Sequence, residues 1–316
     1  AAAGASGPPG AGAPDPPEAA APAGARSYGT RPDAEPPRYT RPLAGTDWLV
    51  AGLEYRLRYE YRDNDFRRPV DTTDTPLLLR GRAYAYVRNR FDPFRFAIEI
   101  QDSRETGSDF PADDRVTNVL EPIQAYGELH FADALGGGRP LSLRAGRMAF
   151  EVLDRRLVAR NEWRNTTNTF QGLRAVLGEP RNDWQLDLLA LRPIDRETSG
   201  LDEADPDRRF LGVLGAWRRR ADIATLQPYW LRLDQDASAD GPRRRIDTLG
   251  LRAFGTAGDT GLDYDLHAAW QTGRDGSLNH RSFFGVAEFG YSAPWPWSPR
   301  LSAQYLQAGG DADPLD

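Results

Sequence analysis

Arginine side chains recur at every second position along several short stretches of this chain, where they alternate with carboxylates. All 40 basic residues of the 316-residue sequence are arginine. A guanidinium group stays charged at any physiological pH and binds carboxylates through two parallel hydrogen bonds. A field of such groups attracts anions, so these residues indicate the binding of carboxylate-bearing or other anionic molecules.

The arginine-rich stretches have the period of a β-strand. In the first stretch, Leu53, Tyr55 and Leu57 fall on one face, while Arg56 and Arg58 fall on the other, because successive side chains of a strand point to opposite sides. A soluble sheet would bury the apolar face in a core. A membrane barrel instead turns the apolar face to lipid and the charged face to a wet interior.

This parity predicts a set of path residues that face the interior and would guide an anion. The predicted path residues are Arg56, Arg58, Arg80, Arg82, Arg88, Arg95, Glu99, Arg144, Arg160 and Arg174. Interleaved carboxylates would prevent tight retention, since transport requires weak, multiple sites. For any single arginine, the alternative is a bridge to a carboxylate that only holds strands together.

Arg160 differs from the other path residues because it lies in a long connection, close to Asn161, Trp163, Arg164 and Asn165. Two placements follow from its composition. The connection folds into the pore mouth and engages sugar, or it packs on the rim of the barrel.

Signals for catalysis and for metal binding are weak. The chain has no cysteine, which excludes disulfides, thiolate metal sites and cysteine nucleophiles. His130, His267 and His280 lack the spacing of metal ligands, and no serine elbow or phosphate loop occurs. We therefore predict no enzymatic activity and no cofactor, with Ca²⁺ bound by the acidic stretches 202–207 or 311–316 as the alternative.

Charge also limits the partners. A net charge of -6 argues against nucleic acid as a partner. The triplets 218–220 and 243–245 are all arginine but lack interleaved aromatic residues that would stack on bases. These triplets predict solvated turns, with contacts to lipid phosphate as the alternative.

The elements that position the path residues are strands. Alternating apolar and polar residues separated by Gly, Pro and Asp predict an all-β protein. Thirteen strand-like segments are visible, at 47–62, 76–91, 94–104, 121–133, 141–151, 168–178, 183–193, 209–218, 223–234, 246–256, 262–272, 282–293 and 300–307.

Connections between these segments alternate short and long. The longer, polar ones run over 62–75, 104–120, 152–167, 194–208, 235–245 and 273–281. Outer-membrane barrels have short periplasmic turns and longer extracellular loops. Aromatic residues near segment ends, such as Trp184, Trp295 and Trp297, predict interface girdles. The pattern predicts a transmembrane antiparallel up-and-down β-barrel with its first strand running outward.

Two regions differ in composition. Residues 1–43 are rich in Ala, Gly and Pro, a composition that predicts a disordered N-terminal arm. Residues 44–316 are predicted to form the barrel. Thirteen is an odd number, whereas bacterial single-chain barrels have an even number of strands, so we expect the chain to be truncated before the closing strands.

One region of the sequence resembles a known family. The residues that carry the resemblance are the runs 101–104, 119–122, 124–126, 143–147, 155–161, 163–166, 169–170 and 172–174 with Leu129, and later Tyr305, 308–311 and Pro314. Their order and spacing resemble the alginate export family of outer-membrane porins, over about 50–316 and most specifically across 94–175.

This resemblance implies an eighteen-stranded barrel in the bacterial outer membrane. Its arginine-rich lumen would pass an anionic uronate polysaccharide outward. The implied partners are outer-membrane lipid, an anionic polysaccharide or small anion, and periplasmic export proteins. The residues alone leave an alternative open, in which the barrel is a non-conducting structural or scaffold subunit of an envelope complex.

Overall fold

The computed structural model describes residues 37–65, 72–238 and 241–310, which form one large antiparallel sheet. Its thirteen long strands are β1 (Leu49–Tyr59), β2 (Leu77–Val87), β3 (Phe94–Thr106), β4 (Asn118–Phe131), β5 (Leu141–Met148), β6 (Phe170–Leu177), β7 (Trp184–Asp195), β8 (Arg208–Arg220), β9 (Ala224–Gln235), β10 (Arg244–Thr256), β11 (Leu262–Asp275), β12 (Leu278–Ser292) and β13 (Arg300–Gly309). The two-residue strands Arg41–Pro42 and Glu203–Ala204 extend the same sheet, beside β1 and β7. A separate two-stranded ladder joins Arg62–Asp63 to Thr73–Asp74.

Each long strand pairs with the next one along the chain, from the β1–β2 ladder to the β12–β13 ladder. The predicted all-β, antiparallel up-and-down fold is confirmed, and all thirteen predicted segments correspond to strands. Within the described residues, β13 has no second partner strand. The eighteen-strand total and the closing strands therefore stay predictions. No helix in this part of the chain is long and apolar enough to cross a membrane.

One predicted connection is wrong. The stretch 273–281 was expected to be a long loop, yet β11 continues to Asp275 and β12 begins at Leu278. A tight turn containing Gly276, with φ of +64°, joins the two strands. The stretch is polar because this hairpin extends as paired strand beyond the apolar part of the sheet, and polarity alone does not distinguish such a strand from a loop.

The two faces of the sheet differ as the alternation predicts. Leu53 on β1 is 80% exposed on the outer face, and Tyr55 and Leu57 are exposed beside it. Arg80 and Arg82 on β2 are 2% and 4% exposed and face the interior. A one-residue slip in register would exchange these two sets of side chains.

The long connection between β5 and β6, residues 149–169, crosses the interior, and we call it the inward segment. Its Phe150, Val152 and Val158 are buried in one apolar cluster with side chains from the strands. The wall residues in that cluster are Val50, Tyr84, Tyr86, Ala97, Tyr126, Met148, Leu189, Leu191, Leu214, Tyr229, Leu231 and Ala269. The apolar core of the protein is therefore built around the inward segment.

Glycines permit the close packing of strands beside the inward segment. Gly146 of β5 and Gly172 of β6 are cross-strand partners with φ of 132° and 150°. A Cβ atom on Gly146 would lie 2.4 Å from the carbonyl oxygen of Ala125, and one on Gly172 would lie 2.3 Å from the carbonyl oxygen of Ala190. Any side chain there would force the neighbouring strands apart.

Residues 37–43 of the predicted N-terminal arm belong to the described structure. Residues 1–36 lie outside the described residues, but Tyr39 and Thr40 already contact the sheet. The Tyr39 hydroxyl donates to Glu99 Oε1 at 2.6 Å, and Thr40 is buried. A Cβ atom on Gly52 of β1 would lie 2.4 Å from the Tyr39 carbonyl oxygen, so glycine is what lets this part of the arm lie against β1.

Candidate functional site

The path residues fall into two groups on the two sides of the inward segment. Arg56, Arg58, Arg80, Arg82 and Glu99 contact the segment directly, and together with Arg160 of the segment itself they form the arginine cluster. The remaining path residues, Arg88, Arg95, Arg144 and Arg174, line a cavity near the short turns. Alternation placed nine of the ten residues on the interior face, and the inward segment brought the tenth, Arg160, among them.

Arg80 and Arg82 converge on Glu162 of the inward segment. Their guanidinium nitrogens lie 3.2 Å and 2.7 Å from Glu162 Oε2. Arg80 is also 2.7 Å from Glu54 of β1. These two arginines are therefore bound to carboxylates within the protein, which is the alternative that the sequence left open for individual arginines.

Arg56 and Arg58 bind the backbone of the inward segment. Arg56 donates to the carbonyl oxygens of Glu162 and Arg164, each at 2.7 Å. Arg58 donates to the carbonyl of Trp163, and its guanidinium lies 4.7 Å from the centroid of the Trp163 ring. The planar guanidinium fork suits both the carbonyl pair and the aromatic face.

The electrostatics of Glu162 follow from this arrangement. Its side chain is 45% exposed. Burial would raise its pKa, but the charges of Arg82, Arg160 and Arg80 outweigh that effect and lower the pKa to about 2. Glu162 therefore stays ionised and holds the arginine cluster to the inward segment at neutral pH.

A second contact holds the inward segment to the opposite wall. Asp154 Oδ2 lies 2.7 Å from Nδ1 of His267 on β11. The other ring nitrogen of His267 lies 2.7 Å from the Tyr229 hydroxyl of β9. Burial opposes ionisation of Asp154, but the hydrogen bond from His267 and the nearby positive charges lower its pKa overall. All three residues are buried.

Sequence reasoning missed Asp154, Glu162 and Tyr229, and it considered His267 as a possible metal ligand and gave it no other role. Parity does not identify Asp154 or Glu162, because an irregular connection has no period from which direction can be read. The backbone of the inward segment is itself unusual, since Leu153, Arg155 and Asn161 all have positive φ. Left-handed non-glycine residues cluster at functional sites, but a sequence does not display φ.

The cavity near the short turns has a volume of about 1220 Å³, and we call it the vestibule. Val152 and Leu153 of the inward segment form part of its lining. Aromatic surface in the lining comes from Tyr84, Tyr86 and Tyr126 of the strands. The guanidinium of Arg144 lies 5.2 Å from the centroid of the Tyr126 ring. The vestibule therefore combines aromatic faces with positive charge.

Most vestibule arginines have carboxylate partners. Arg144 lies 2.8 Å from Glu128, and Arg174 lies 2.6 Å from Asp187. Arg95 lies 2.9 Å from Asp92 in the adjoining turn.

Two vestibule arginines differ from these. Arg88 and Arg218 form no ion pair with any described carboxylate, and among the described residues the Arg218 guanidinium donates only to Gln185 Oε1, at 3.2 Å. Arg88 Nε and Arg218 Nη1 have no hydrogen-bond partner in the described part of the chain. These two groups are the vestibule charges best able to meet a bound anion.

Candidate metal ligands do not converge in the described residues, where no group of three or more His, Asp or Glu side chains could hold an ion. Asp202 of the acidic stretch 202–207 accepts hydrogen bonds from Asn118 and from the Glu197 backbone. Asp205 accepts from the backbone N–H of Asp207. The stretch 311–316 lies outside the described residues. The absence of a cofactor and its alternative, bound Ca²⁺, both stay predictions.

Comparison with known proteins adds one finding. A sequence profile described as alginate export matches residues 47–316. The match covers all thirteen long strands, β1 to β13, together with the inward segment and the vestibule. No curated protein matches the chain.

Proposed function

The chain belongs to the alginate export family of outer-membrane porins, and from this premise we propose that its interior passes an anionic polysaccharide of the uronate type across the bacterial outer membrane. The observation that carries the proposal is the vestibule, in which Arg88 and Arg218 have no carboxylate partner among the described residues and line the same cavity as tyrosine rings. Guanidinium groups match the geometry of uronate carboxylates, and aromatic faces offer sugars an apolar surface.

The paired arginines have a different role in this proposal. Arg144 and Arg174 keep their charge but are already bound to Glu128 and Asp187. At each of these arginines, a carboxylate of the polymer competes with the carboxylate of the protein. The polymer is therefore attracted but bound only weakly. Weak and repeated sites of this kind are what conduction requires.

One observation favours a second candidate, a non-conducting scaffold barrel within an envelope complex. The inward segment joins Arg80 and Arg82 on one wall to His267 on another. A segment fixed at both walls narrows the interior that a polymer must cross. The channel proposal therefore requires that this segment leaves room for the solute or moves.

Planar bilayer recordings decide between the two candidates. We expect the wild-type protein to prefer anions over cations, and we expect uronate oligomers to reduce its current. R88E/R218E should lower the anion preference, because charges that line a pore set its selectivity. R104E/R243E makes the same change in charge at exposed positions and serves as the matched control. Cation preference or absence of conductance in the wild-type protein would favour the scaffold.

A further inference from the structure

The outer face of strands β7 to β11 carries a cross-strand row of charged residues near the long connections. Pairing of β8 to β11 places Arg209 opposite Asp234, Asp234 opposite Arg245, and Arg245 opposite Arg274. Arg192 on β7 extends the row, since the β7–β8 ladder pairs the preceding residue, Leu191, with Phe210. We call Arg192, Arg209, Arg245 and Arg274 the arginine belt.

The belt arginines are exposed, and among the described residues none of them makes an ion pair or a side-chain hydrogen bond. Asp234 is the carboxylate in their row. Asp247 lies one row nearer the middle of the sheet. Its Oδ1 and Oδ2 accept hydrogen bonds from Nε and Nη2 of Arg232, at 2.8 Å and 2.9 Å. Its Oδ1 also accepts a hydrogen bond from the indole N–H of Trp230. Four unpaired guanidinium groups therefore face one intervening carboxylate, and the belt has a net positive charge.

An apolar row runs parallel to the belt, four residues nearer the middle of the same strands. Its members, which are successive cross-strand partners, are Leu188, Val213, Trp230, Leu249, Trp270 and Phe283. Leu249 and Trp270 are among the most exposed of these side chains. The lipid-facing surface of a membrane barrel is an apolar band with aromatic residues at its two edges, where the membrane interfaces lie. This row lies at one such edge.

The spacing places the belt beyond that interface. Four residues of strand span about 13 Å, or about 10 Å of height for a strand tilted by 35–45°. At the end of the barrel with the longer connections, which faces the cell exterior, this level is that of the lipid head groups. Arginine forks bind phosphate oxygens in bidentate fashion.

We propose that the arginine belt binds the phosphate groups of outer-leaflet glycolipid. The proposal rests on the outer-membrane location proposed above. A row of cross-strand partners spaced by about 4.8 Å presents several guanidinium groups to one head group or to adjacent ones. The belt covers only the β7–β11 side, so the bound lipid forms an arc against this part of the barrel rather than a complete ring.

The test measures binding of diphosphorylated lipid A to refolded protein in detergent, by native mass spectrometry. The variant R209Q/R245Q/R274Q removes three belt charges, and R181Q/R219Q/R220Q removes three exposed charges at the short-turn end as the matched control. Each arginine near an anionic lipid surface contributes about fivefold to affinity. We expect the belt variant to bind on the order of 100-fold more weakly and the control to bind like wild type.

Two further arms identify the ligand chemistry. Lipid A without phosphates should bind weakly to all three proteins, and inorganic phosphate should not displace the diphosphorylated lipid. Equal lipid binding by wild type and belt variant, an equal loss in the control, or full displacement by inorganic phosphate would each overturn the proposal. Should the triple variant fail to show a folded, heat-modifiable band, Arg274→Gln alone should weaken binding by about fivefold.

Conductance separates this inference from the proposed channel. In phosphatidylcholine bilayers the belt variant should conduct like wild type, because the belt faces outward. Loss of lipid binding specific to the belt variant supports the belt even in a protein that does not conduct. Normal anion conductance together with unchanged lipid A binding overturns the belt and leaves the channel proposal intact.

Discussion

Glu99 of β3 and Arg160 of the inward segment form a buried ion pair, in which Arg160 Nη2 lies 2.7 Å from Glu99 Oε1. Glu99 also accepts hydrogen bonds from Tyr39 and Gln124. The pair thus joins a wall strand, the inward segment and the end of the N-terminal arm. A buried charge that loses its partner is strongly destabilising, so this pair fixes the position of the inward segment.

Arg160→Met should destabilise the protein by about 3–5 kcal/mol, because it leaves Glu99 buried without its cation. Urea unfolding in detergent micelles measures the change. Arg104→Met is the matched control and should have little effect, since Arg104 is exposed and a solvent-exposed ion pair such as that with Asp102 contributes little to stability. An equal effect of the two substitutions would show that the buried pair does not anchor the segment.

Low pH should loosen the inward segment. Glu162 has a pKa of about 2 in the folded protein against an ordinary value of 4.5. A lowered pKa means that the stabilisation is complete above about pH 4.5 and is lost as the pH falls towards 2. We expect the bilayer conductance to rise over that window.

Glu162→Gln should raise the conductance already at pH 7, because the neutral amide no longer pairs with Arg80 and Arg82. Glu203→Gln, at an exposed position in the connection between β7 and β8, should leave the pH profile unchanged. A wild-type conductance that stays constant down to pH 2 would contradict the role given to Glu162.

Leu53→Arg should disrupt insertion, because Leu53 lies in the middle of the exposed face of β1. An arginine facing lipid at the midplane destabilises a barrel by about 2–4 kcal/mol, and by about 0–1 kcal/mol near the interface. Tyr61→Arg, just beyond the end of β1, is therefore the matched control. Folding into phospholipid vesicles, followed by heat-modifiable migration, measures both. Equal folding of the two variants would argue against lipid contact at Leu53.

The N-terminal arm should matter only near its end. Deletion of residues 1–36 removes none of the described contacts and should leave unfolding unchanged. Tyr39→Phe removes the hydroxyl that donates to Glu99 and should lower the free energy of unfolding by about 1.5–3 kcal/mol, as expected for a hydrogen bond to a charged group. Tyr59→Phe, on the exposed outer face, is the control and should have little effect.

The alternation of apolar and polar residues was sufficient to predict the sheet. Side chains of a strand alternate strictly between two faces, so the positions of Leu53 and Arg80 followed from parity once a strand was recognised. The turn at Gly276 was not predicted, because polar residues occur both in loops and in strands that extend beyond an apolar band. The family resemblance followed from the order of short motifs such as 155–161.

Ion-pair partners, and the directions of side chains outside the strands, depended on the tertiary structure. Arg80 and Arg82 were predicted to line an anion path, but the fold places Glu162 between them, from a connection 80 residues further along the chain. The same holds for Asp154 and His267, which are 113 residues apart. The sequence by itself determined which side chains face inward and outward, since that depends on a local period of two. Only the tertiary structure decided which inward charges are already paired, because ion pairing depends on distances between segments that no local pattern encodes.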